Sequence, residues 1–407
     1  MVNCRGCGSG LFLTLLDLGE SPIANNLVES KDFNLQNDCY PLKAITCSKC
    51  ALVQLSEDLP REILFKADYV YYSSVSTSWL EHAKLYSQKM IQFLNLNQND
   101  LVLEIASNDG YLLQYFKNNG IQVLGVEPAS DVANTAIKNG IPTLIDFFGV
   151  SLAHKLVQTK QPKLIIGNNV LAHVPNLHDF INGVATLIDT NGIITFEFPH
   201  LLNLLKNCQF DTIYHEHYSY LSITALLPIF EQYELEVFEV EKLPTHGGSL
   251  RVYLTKRNGG VQIGDSVKAI LEEELQYDPR DIRIYKPFQY KVSKTKLDLV
   301  KELHRLKENG KKIFAYGAAA KGITLLNYCG IDSGVVDFVL DLNPSKQGKF
   351  IPGSKIPIVD SSILNLEQPD VLLILAWNLS TEIKSQLNDH IKLGMKLIKG
   401  VPEVAYF

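Results

Sequence analysis

The sequence predicts an α/β protein built from a small cysteine-knuckle unit and two doubly wound, mainly parallel sheets. Three observations carry this: two Cys-x-x-Cys pairs near the start, an apolar strand–turn–helix–strand over 101–128, and a second such unit after residue 312.

The stretch Leu101-Val-Leu-Glu-Ile-Ala-Ser-Asn-Asp-Gly110 reads as an apolar strand entering a tight polar turn. An amphipathic helix follows, then a second apolar strand ending in Gly125-Val-Glu-Pro128. This is half of a Rossmann-like unit, which holds ligands where its strands end and its helices begin. Glu127 lies 17 residues past Gly110, where a carboxylate accepts hydrogen bonds from two ribose hydroxyls. A dinucleotide fingerprint, G-x-G-x-x-G, lets the backbone approach a pyrophosphate. Here only Ala106 and Gly110 are small, and Glu104 and Asp109 put carboxylates in or beside the turn. Carboxylates repel a pyrophosphate but suit an amino group and a sulfonium. The turn, with Ser107 and Asn108 inside it, resembles the first motif of Rossmann-like methyltransferases that use S-adenosylmethionine (SAM). Asp146-Phe147-Phe148 ends the third strand, where a carboxylate and an aromatic ring can hold an adenine. Asn168 closes the buried strand 162–168, where such enzymes hold the reactive end of their ligand.

Two Cys-x-x-Cys pairs, Cys4/Cys7 and Cys47/Cys50, can complete a closed four-thiolate Zn²⁺ site, which is structural rather than catalytic. The 39 intervening residues exceed the usual ribbon spacing, so they form a hairpin or loop with its own role. Residues 1–80 are assigned to this zinc-binding domain. Residues 81–258 form the central domain: a helical pattern over 78–96, a strand near 141–146, a helix over 150–158, a helix over 177–190, a strand over 192–198, and edge strands within 211–255. Residues 259–407 form a helical connector and a second Rossmann-like α/β domain. Its glycine turn, Gly317–Gly322 with Lys321, can cradle a diphosphate at a helix N-terminus, and Asp341 mimics a ribose-binding acid.

At 407 residues, 46% hydrophobic and 20% charged, the chain has the make-up of a soluble protein of two or three domains. A net charge of −6, with no Lys/Arg-rich face bearing interleaved aromatics, argues against nucleic acid as a partner. No apolar run reaches the ~20 residues that span a bilayer, so no membrane partner is expected. The N-terminus lacks a signal-peptide layout, and an odd count of seven cysteines points to a reducing compartment. A cytoplasmic enzyme is the expectation.

Six of the ten histidines fall between 173 and 246. The densest run is Asp211-Thr-Ile-Tyr-His-Glu-His-Tyr-Ser-Tyr220, poor core material and unusual for a loop. In extended backbone His215 and His217 share a face, whereas in a helical turn Tyr214 meets His217. Both arrangements set a general base beside a carboxylate. A metal site from His215, Glu216, His217 and His173 is the weaker reading, because recognisable zinc-enzyme motifs use other spacings such as H-E-x-x-H. Asp68–Trp79 is rich in phenols and hydroxyls suited to a sugar, and Arg251 in Thr245-His-Gly-Gly-Ser-Leu-Arg251 is a candidate phosphate or substrate clamp.

Taken in order, these motifs resemble one family over nearly the whole chain. They are the two Cys-x-x-Cys pairs, Ser21-Pro-Ile-Ala-Asn-Asn26, Tyr69-Val-Tyr-Tyr-Ser-Ser74, the Glu104–Leu113 turn, Asn168-Asn-Val-Leu-Ala-His-Val-Pro175, Tyr214-His-Glu-His-Tyr-Ser-Tyr220, and Tyr316-Gly-Ala-Ala-Ala-Lys-Gly322. The family is the three-domain SAM-dependent sugar C-methyltransferases of deoxysugar biosynthesis. The resemblance implies methylation of the carbon beside the 4-keto group of a nucleotide-linked deoxysugar, with C3 as the expected position. It implies His217 as the base, with Tyr214, Glu216 and His173 positioning it and stabilising an enolate oxygen. Tyr71 is expected on the sugar, with Tyr69, Tyr72, Ser73, His215, Arg251 and Lys321 also contacting substrate. An NAD(P)-linked sugar oxidoreductase is the alternative, weakened by the missing G-x-G-x-x-G. The nucleotide, the sugar and the oligomeric state stay open.

Overall fold

The computed structural model describes residues 2–35, 37–64, 72–257 and 259–407, which form three sheets. Phe12–Pro22, Cys39–Cys47, Val53–Leu55 and Ser219–Tyr220 make an antiparallel four-stranded sheet in that order. Its last strand comes from the middle of the chain. Val53 pairs with Tyr220 and Gln54 with Ser219, so the residues just after the histidine cluster are stitched into the cysteine unit.

The central sheet has seven strands, ordered Leu235–Leu243, Ser249–Lys256, Ile193–Pro199, Leu164–Asn168, Leu101–Ile105, Gln122–Val126 and Thr143–Leu144. The last five are parallel and the first two are antiparallel additions at the edge. The chain enters at Leu101–Ile105, winds to one edge, then crosses to Leu164–Asn168 on the other side. The crevice between those two strands is the topological switch point, where open α/β sheets bind ligands. Helices cover both faces, so Leu164-Ile-Ile166 is fully buried and reads as a continuous apolar run.

The third sheet is ordered Ile358–Val359, Val339–Leu340, Ile313–Tyr316, Val371–Ile374, Lys396–Lys399 and Ala405–Tyr406, parallel except for the last pair. The connector is two helices, Asp265–Leu275 and Tyr285–Glu308. The second buries Phe288, Val292, Leu299 and Leu303 in a core shared with Leu15 and Leu42 of the cysteine unit, Phe210 and Ile213 of the histidine segment, and Trp377 of the third sheet's surround. Among the described residues, no helix is long and apolar enough to cross a membrane.

Two elements differ from expectation for identifiable reasons. The helix Thr77–Leu94 crosses residue 80, where a domain boundary was expected; Ser76 caps it and its Trp79, Ala83, Tyr86 and Met90 face packs on Tyr111 and Phe116. Within 211–255, where edge strands were expected, Ile223–Gln232 is a helix despite its internal Pro228. Its first N–H groups, on Ile223 and Thr224, donate to Glu274 at 2.8 Å each. That carboxylate comes from 50 residues away in sequence, a cap no local pattern displays.

The four cysteine sulfurs lie within 4.8 Å of one another, with Cys4–Cys50 at 3.4 Å and Cys7–Cys47 at 3.5 Å. A tetrahedral ion with Zn–S bonds of ~2.3 Å needs sulfurs roughly 3.8 Å apart, so the donor set fits Zn²⁺. Each knuckle is closed by one left-handed residue directly after its second cysteine, Gly8 (φ 70°) and Ala51 (φ 66°). The 39-residue insert is the hairpin Phe12–Pro22/Cys39–Cys47. The protein should carry one zinc per chain by elemental analysis. Cys47→Ser should lose it and lower Tm by on the order of 5 °C or more; a chain without zinc and an unchanged melt would contradict the assignment.

Candidate active site

The segment Phe210–Tyr220 is held from every side. Asp211 is fully buried and accepts a hydrogen bond from Trp377 Nε1 at 2.6 Å. Asn25 donates to Glu216 through both its backbone N (3.1 Å) and its side chain (2.9 Å). His215 meets the Tyr40 carbonyl at 3.3 Å, and Arg5 donates to the Tyr218 carbonyl at 2.8 Å. These bonds fix a turn at Tyr214–His217, where His217 N donates to Tyr214 O at 2.9 Å. Tyr214 and His217 therefore face one another.

The His217 ring is oriented at both nitrogens. Nδ1 is 2.8 Å from the Thr212 carbonyl and donates to it, which leaves the lone pair on Nε2, 2.7 Å from the Tyr214 hydroxyl. His173 packs beside it, tilted by 56° with 4.8 Å between ring centroids, and its Nδ1 donates to the Glu216 carbonyl at 2.6 Å. Burial pushes His173 down to about 4 and His217 well below its ordinary value, the second imidazole adding to the effect on His217. Both rings are neutral at physiological pH. A neutral imidazole with a pre-aimed Nε2 can accept a proton.

The turn after Leu101–Ile105 has left-handed backbone at Ala106 (φ 57°), Asn108 (φ 51°) and Gly110 (φ 81°). Left-handed backbone favours glycine, and Asn is among the side-chain-bearing residues that tolerate it best. At Gly110 a Cβ would come within 2.8 Å of Ile141. Glu127 accepts from Asn108 N at 3.0 Å and Ala129 N at 2.9 Å. Burial raises its carboxyl to about 7, with those two amides opposing. Asn108 and Asp109 also hold the segment after residue 72: Ser73 N donates to Asn108 Oδ1 at 2.8 Å and Ser74 N to Asp109 at 3.2 Å.

One cavity of about 310 Å³ connects these parts. Its lining includes Ala106, Asn108, Glu127, Asp146, Phe147 and Asn168 of the central sheet's turns, Ser73, His173, Tyr214 and His217 around the histidine segment, and Ala319, Ala320, Lys321 and Lys346 of the C-terminal domain.

Three family models match in turn: a zinc binding domain over residues 4–65, a methyltransferase domain over 79–240 and a C-methyltransferase C-terminal domain over 244–402. C-methyltransferase NovU of Streptomyces niveus is 32% identical over 401 residues, covering 98% of this chain and 95% of NovU. The chain belongs to the C-methyltransferase family. It is a SAM-dependent C-methyltransferase with a zinc-binding N-terminal domain and two Rossmann-like α/β domains. Solved structures of a SAM dependent methyltransferase from Archaeoglobus fulgidus and of magnesium protoporphyrin IX methyltransferase from Synechocystis are each 14% identical. Each covers 44% of this chain, and 94% and 83% of its own, with TM-scores of 0.37 and 0.35.

In this C-methyltransferase several expected site residues lie off the cavity. Arg251 is no substrate clamp. Its guanidinium is 2% exposed, pairs with Glu197 and Glu241, and covers the Tyr86 ring. Burial would raise Glu197, but His82 and Arg251 outweigh it and bring the carboxyl to about 2. This closed ion-pair group braces the edge strands. His215 is 2% exposed and faces the zinc unit, so it contacts no substrate. The Glu216 carboxylate is fully buried on Asn25 and does not line the cavity. Glu104, Ser107 and Gly110 shape the turn from behind, Ser107 packing on Gly125. Tyr72 flanks the cavity without lining it, and Tyr69 and Tyr71 lie outside the described residues. Asp341 accepts from Ala318 N at 2.8 Å and from Lys346 at 3.4 Å, so it ties the glycine turn instead of awaiting a ribose.

Sequence reasoning gave no individual role to the lining residues Asn25, His246 and Lys346, nor to Trp79 and Asn169 within segments it had placed at the site. Asn25 and His246 sit in Ser-Pro-Ile-Ala-Asn-Asn, noted only as part of the family resemblance, and Thr-His-Gly-Gly-Ser, read for its Arg251. A carboxylate accepts hydroxyl hydrogen bonds best in its ionised form, and the expected role of Glu127 is to hold a ribose. Since its folded value is about 7, affinity for S-adenosylhomocysteine should rise as pH increases from 6 to 8. Glu127→Gln should weaken binding about 10–100-fold and flatten that dependence, read by calorimetry; a steep pH dependence surviving in Glu127→Gln would contradict it.

Proposed function

We propose that this enzyme methylates the carbon next to the ketone of a nucleotide-linked 4-keto-6-deoxysugar, at C3, using His217 as the base. The observation that supports the reading most is the His217 ring: neutral, half-buried in the wall of the cavity that also holds the Glu127 turn, with Nδ1 donating to the Thr212 carbonyl and the Nε2 lone pair facing the Tyr214 hydroxyl. A sugar C–H is too weakly acidic for any side chain unless an adjacent carbonyl spreads the charge. The substrate must therefore be a keto sugar, and the site must pair a base with groups that favour an oxyanion.

When bound, SAM supplies an electrophilic methyl on a sulfonium. In this reading Glu127 takes its ribose, Asp146 and Phe147 its adenine, and Ala106, Asn108 and Asn168 its amino-acid end. Arg61 lies over the Phe147 ring at 4.1 Å and braces it. His173 orients His217 by packing on it, and Glu216 acts through Asn25 and through the backbone carbonyl that holds His173. The N-terminus of the helix Ala320–Cys329 bears no side-chain cap and lies beside Lys346, whose Nζ donates to Ala318 O at 2.8 Å, a setting for the substrate's diphosphate. Ser73 lines the same cavity and offers its hydroxyl to the sugar.

The test is incubation with labelled SAM and a panel of dTDP-, GDP- and CDP-linked 4-keto-6-deoxysugars, followed by mass spectrometry. One added methyl on the sugar is expected for at least one nucleotide. His217→Asn should lower the rate by about 10²–10⁴ while S-adenosylhomocysteine binding is unchanged. Normal turnover in His217→Asn, or no sugar methylated by the unaltered enzyme, would overturn the proposal.

A further inference from the structure

Lys321 has a setting that a simple phosphate contact does not explain. It is held in register with the histidine segment. Its Nζ donates to Asn378 Oδ1 at 2.8 Å and lies 4.8 Å from the centre of the Trp377 ring. The indole N–H of that same Trp377 is fixed by Asp211, six residues before His217. The helix carrying Lys321 packs directly on Phe210–Thr212. Asp211 attracts the ammonium, but its Oδ2 accepts from the indole, and among the described residues no carboxylate lies within ion-pair distance of Lys321. An ammonium has three N–H donors, and Asn378 takes one. A desolvated cation with donors left over, lining a cavity, is arranged to meet negative charge.

The electrostatics point to where that charge forms. The field of Lys321 reaches both His217 and His246, disfavouring their protonation. The three imidazoles around it are neutral, and the hydroxyl of Tyr214 is turned to His217 Nε2. Burial lowers the ammonium to about 8, with Asp211 opposing, so it is charged at neutral pH.

We infer that the Lys321 ammonium stabilises the oxyanion that develops on the substrate ketone when His217 deprotonates the neighbouring carbon. The inference rests on the keto-sugar reading. The C–H bond breaks and its proton passes to His217 Nε2. The freed electron pair forms a C=C bond, and the carbonyl π pair moves onto oxygen, facing Lys321. When that pair returns, the carbon bonds to the sulfonium methyl, the S–CH₃ bond breaks, and a neutral thioether leaves with the ketone restored. Lys321 is then a catalytic residue, and the diphosphate is left to the helix N-terminus and Lys346.

The experiment compares Lys321→Met and Lys321→Arg with the unaltered enzyme, using whichever sugar nucleotide of the panel it methylates. Lys321→Met should lower kcat on the order of 10²–10³-fold, with KM changed by less than about 3-fold. Affinities for the matching free nucleoside diphosphate and for S-adenosylhomocysteine should be unchanged. Lys321→Arg should restore part of kcat. If Lys321→Met does not fold, Lys321→Arg decides, since it must lower kcat without raising KM. A rise in KM and loss of nucleoside diphosphate affinity with kcat preserved would make Lys321 a phosphate clamp and overturn the inference. Normal kcat in Lys321→Met beside an inactive His217→Asn would overturn this inference alone. An unaltered enzyme that methylates none of the panel would overturn the substrate reading and this inference with it.

Discussion

The structure depends on one constraint: a short, polar, largely buried segment, Phe210–Tyr220, must find many of its hydrogen-bond partners elsewhere in the chain. Its own backbone supplies two turns, Ile213 N to Phe210 O and His217 N to Tyr214 O, and the Thr212 carbonyl that holds His217. The rest comes from the zinc unit through Asn25, Tyr40 and Arg5, from the third sheet's surround through Trp377, and from the pairing of Ser219–Tyr220 with Val53 and Gln54. Buried polar groups left unpaired cost on the order of 1–3 kcal/mol each, so the segment has one satisfactory conformation only when all three parts are assembled. The aim of the His217 ring follows from that assembly.

This gives the zinc a purpose although it lies away from the cavity. Four sulfurs anchor the root of a hairpin whose first strand, Phe12–Pro22, leads directly into Asn25. The second strand carries Tyr40 and pairs with the strand that receives Ser219–Tyr220. A small sheet of four strands has little core of its own, and a closed metal site stiffens it where apolar burial is scarce.

Much of the architecture was legible because it is local. Leu101–Val126 shows its strands as apolar runs, its turn as Ala-x-Asn-x-Gly, and its acid at Glu127, and the Cys pairs declare their spacing. The contact between Tyr214 and His217 was one of two arrangements the spacing allowed. What was illegible depends on partners far off in sequence. Arg251 reads as a clamp in its own turn, and only the neighbouring strand's Glu197 shows it to be spent in an ion pair. Glu216 and His215 look catalytic beside His217, yet in a turn they project to the side where Asn25 and Tyr40 wait. Asn25 and Lys346, from opposite ends of the chain, meet in a cavity that neither local sequence suggests.

The claim that the assembled segment presents His217 as a base acting on a carbon acid is tested most directly without methyl transfer. The 4-keto-6-deoxysugar nucleotide is incubated in D₂O with S-adenosylhomocysteine in place of SAM, and the α-carbon is followed by NMR. The account predicts that the enzyme exchanges that hydrogen for deuterium and that His217→Asn does not. Exchange that persists in His217→Asn, or methylation by an enzyme that never exchanges the hydrogen, would contradict it.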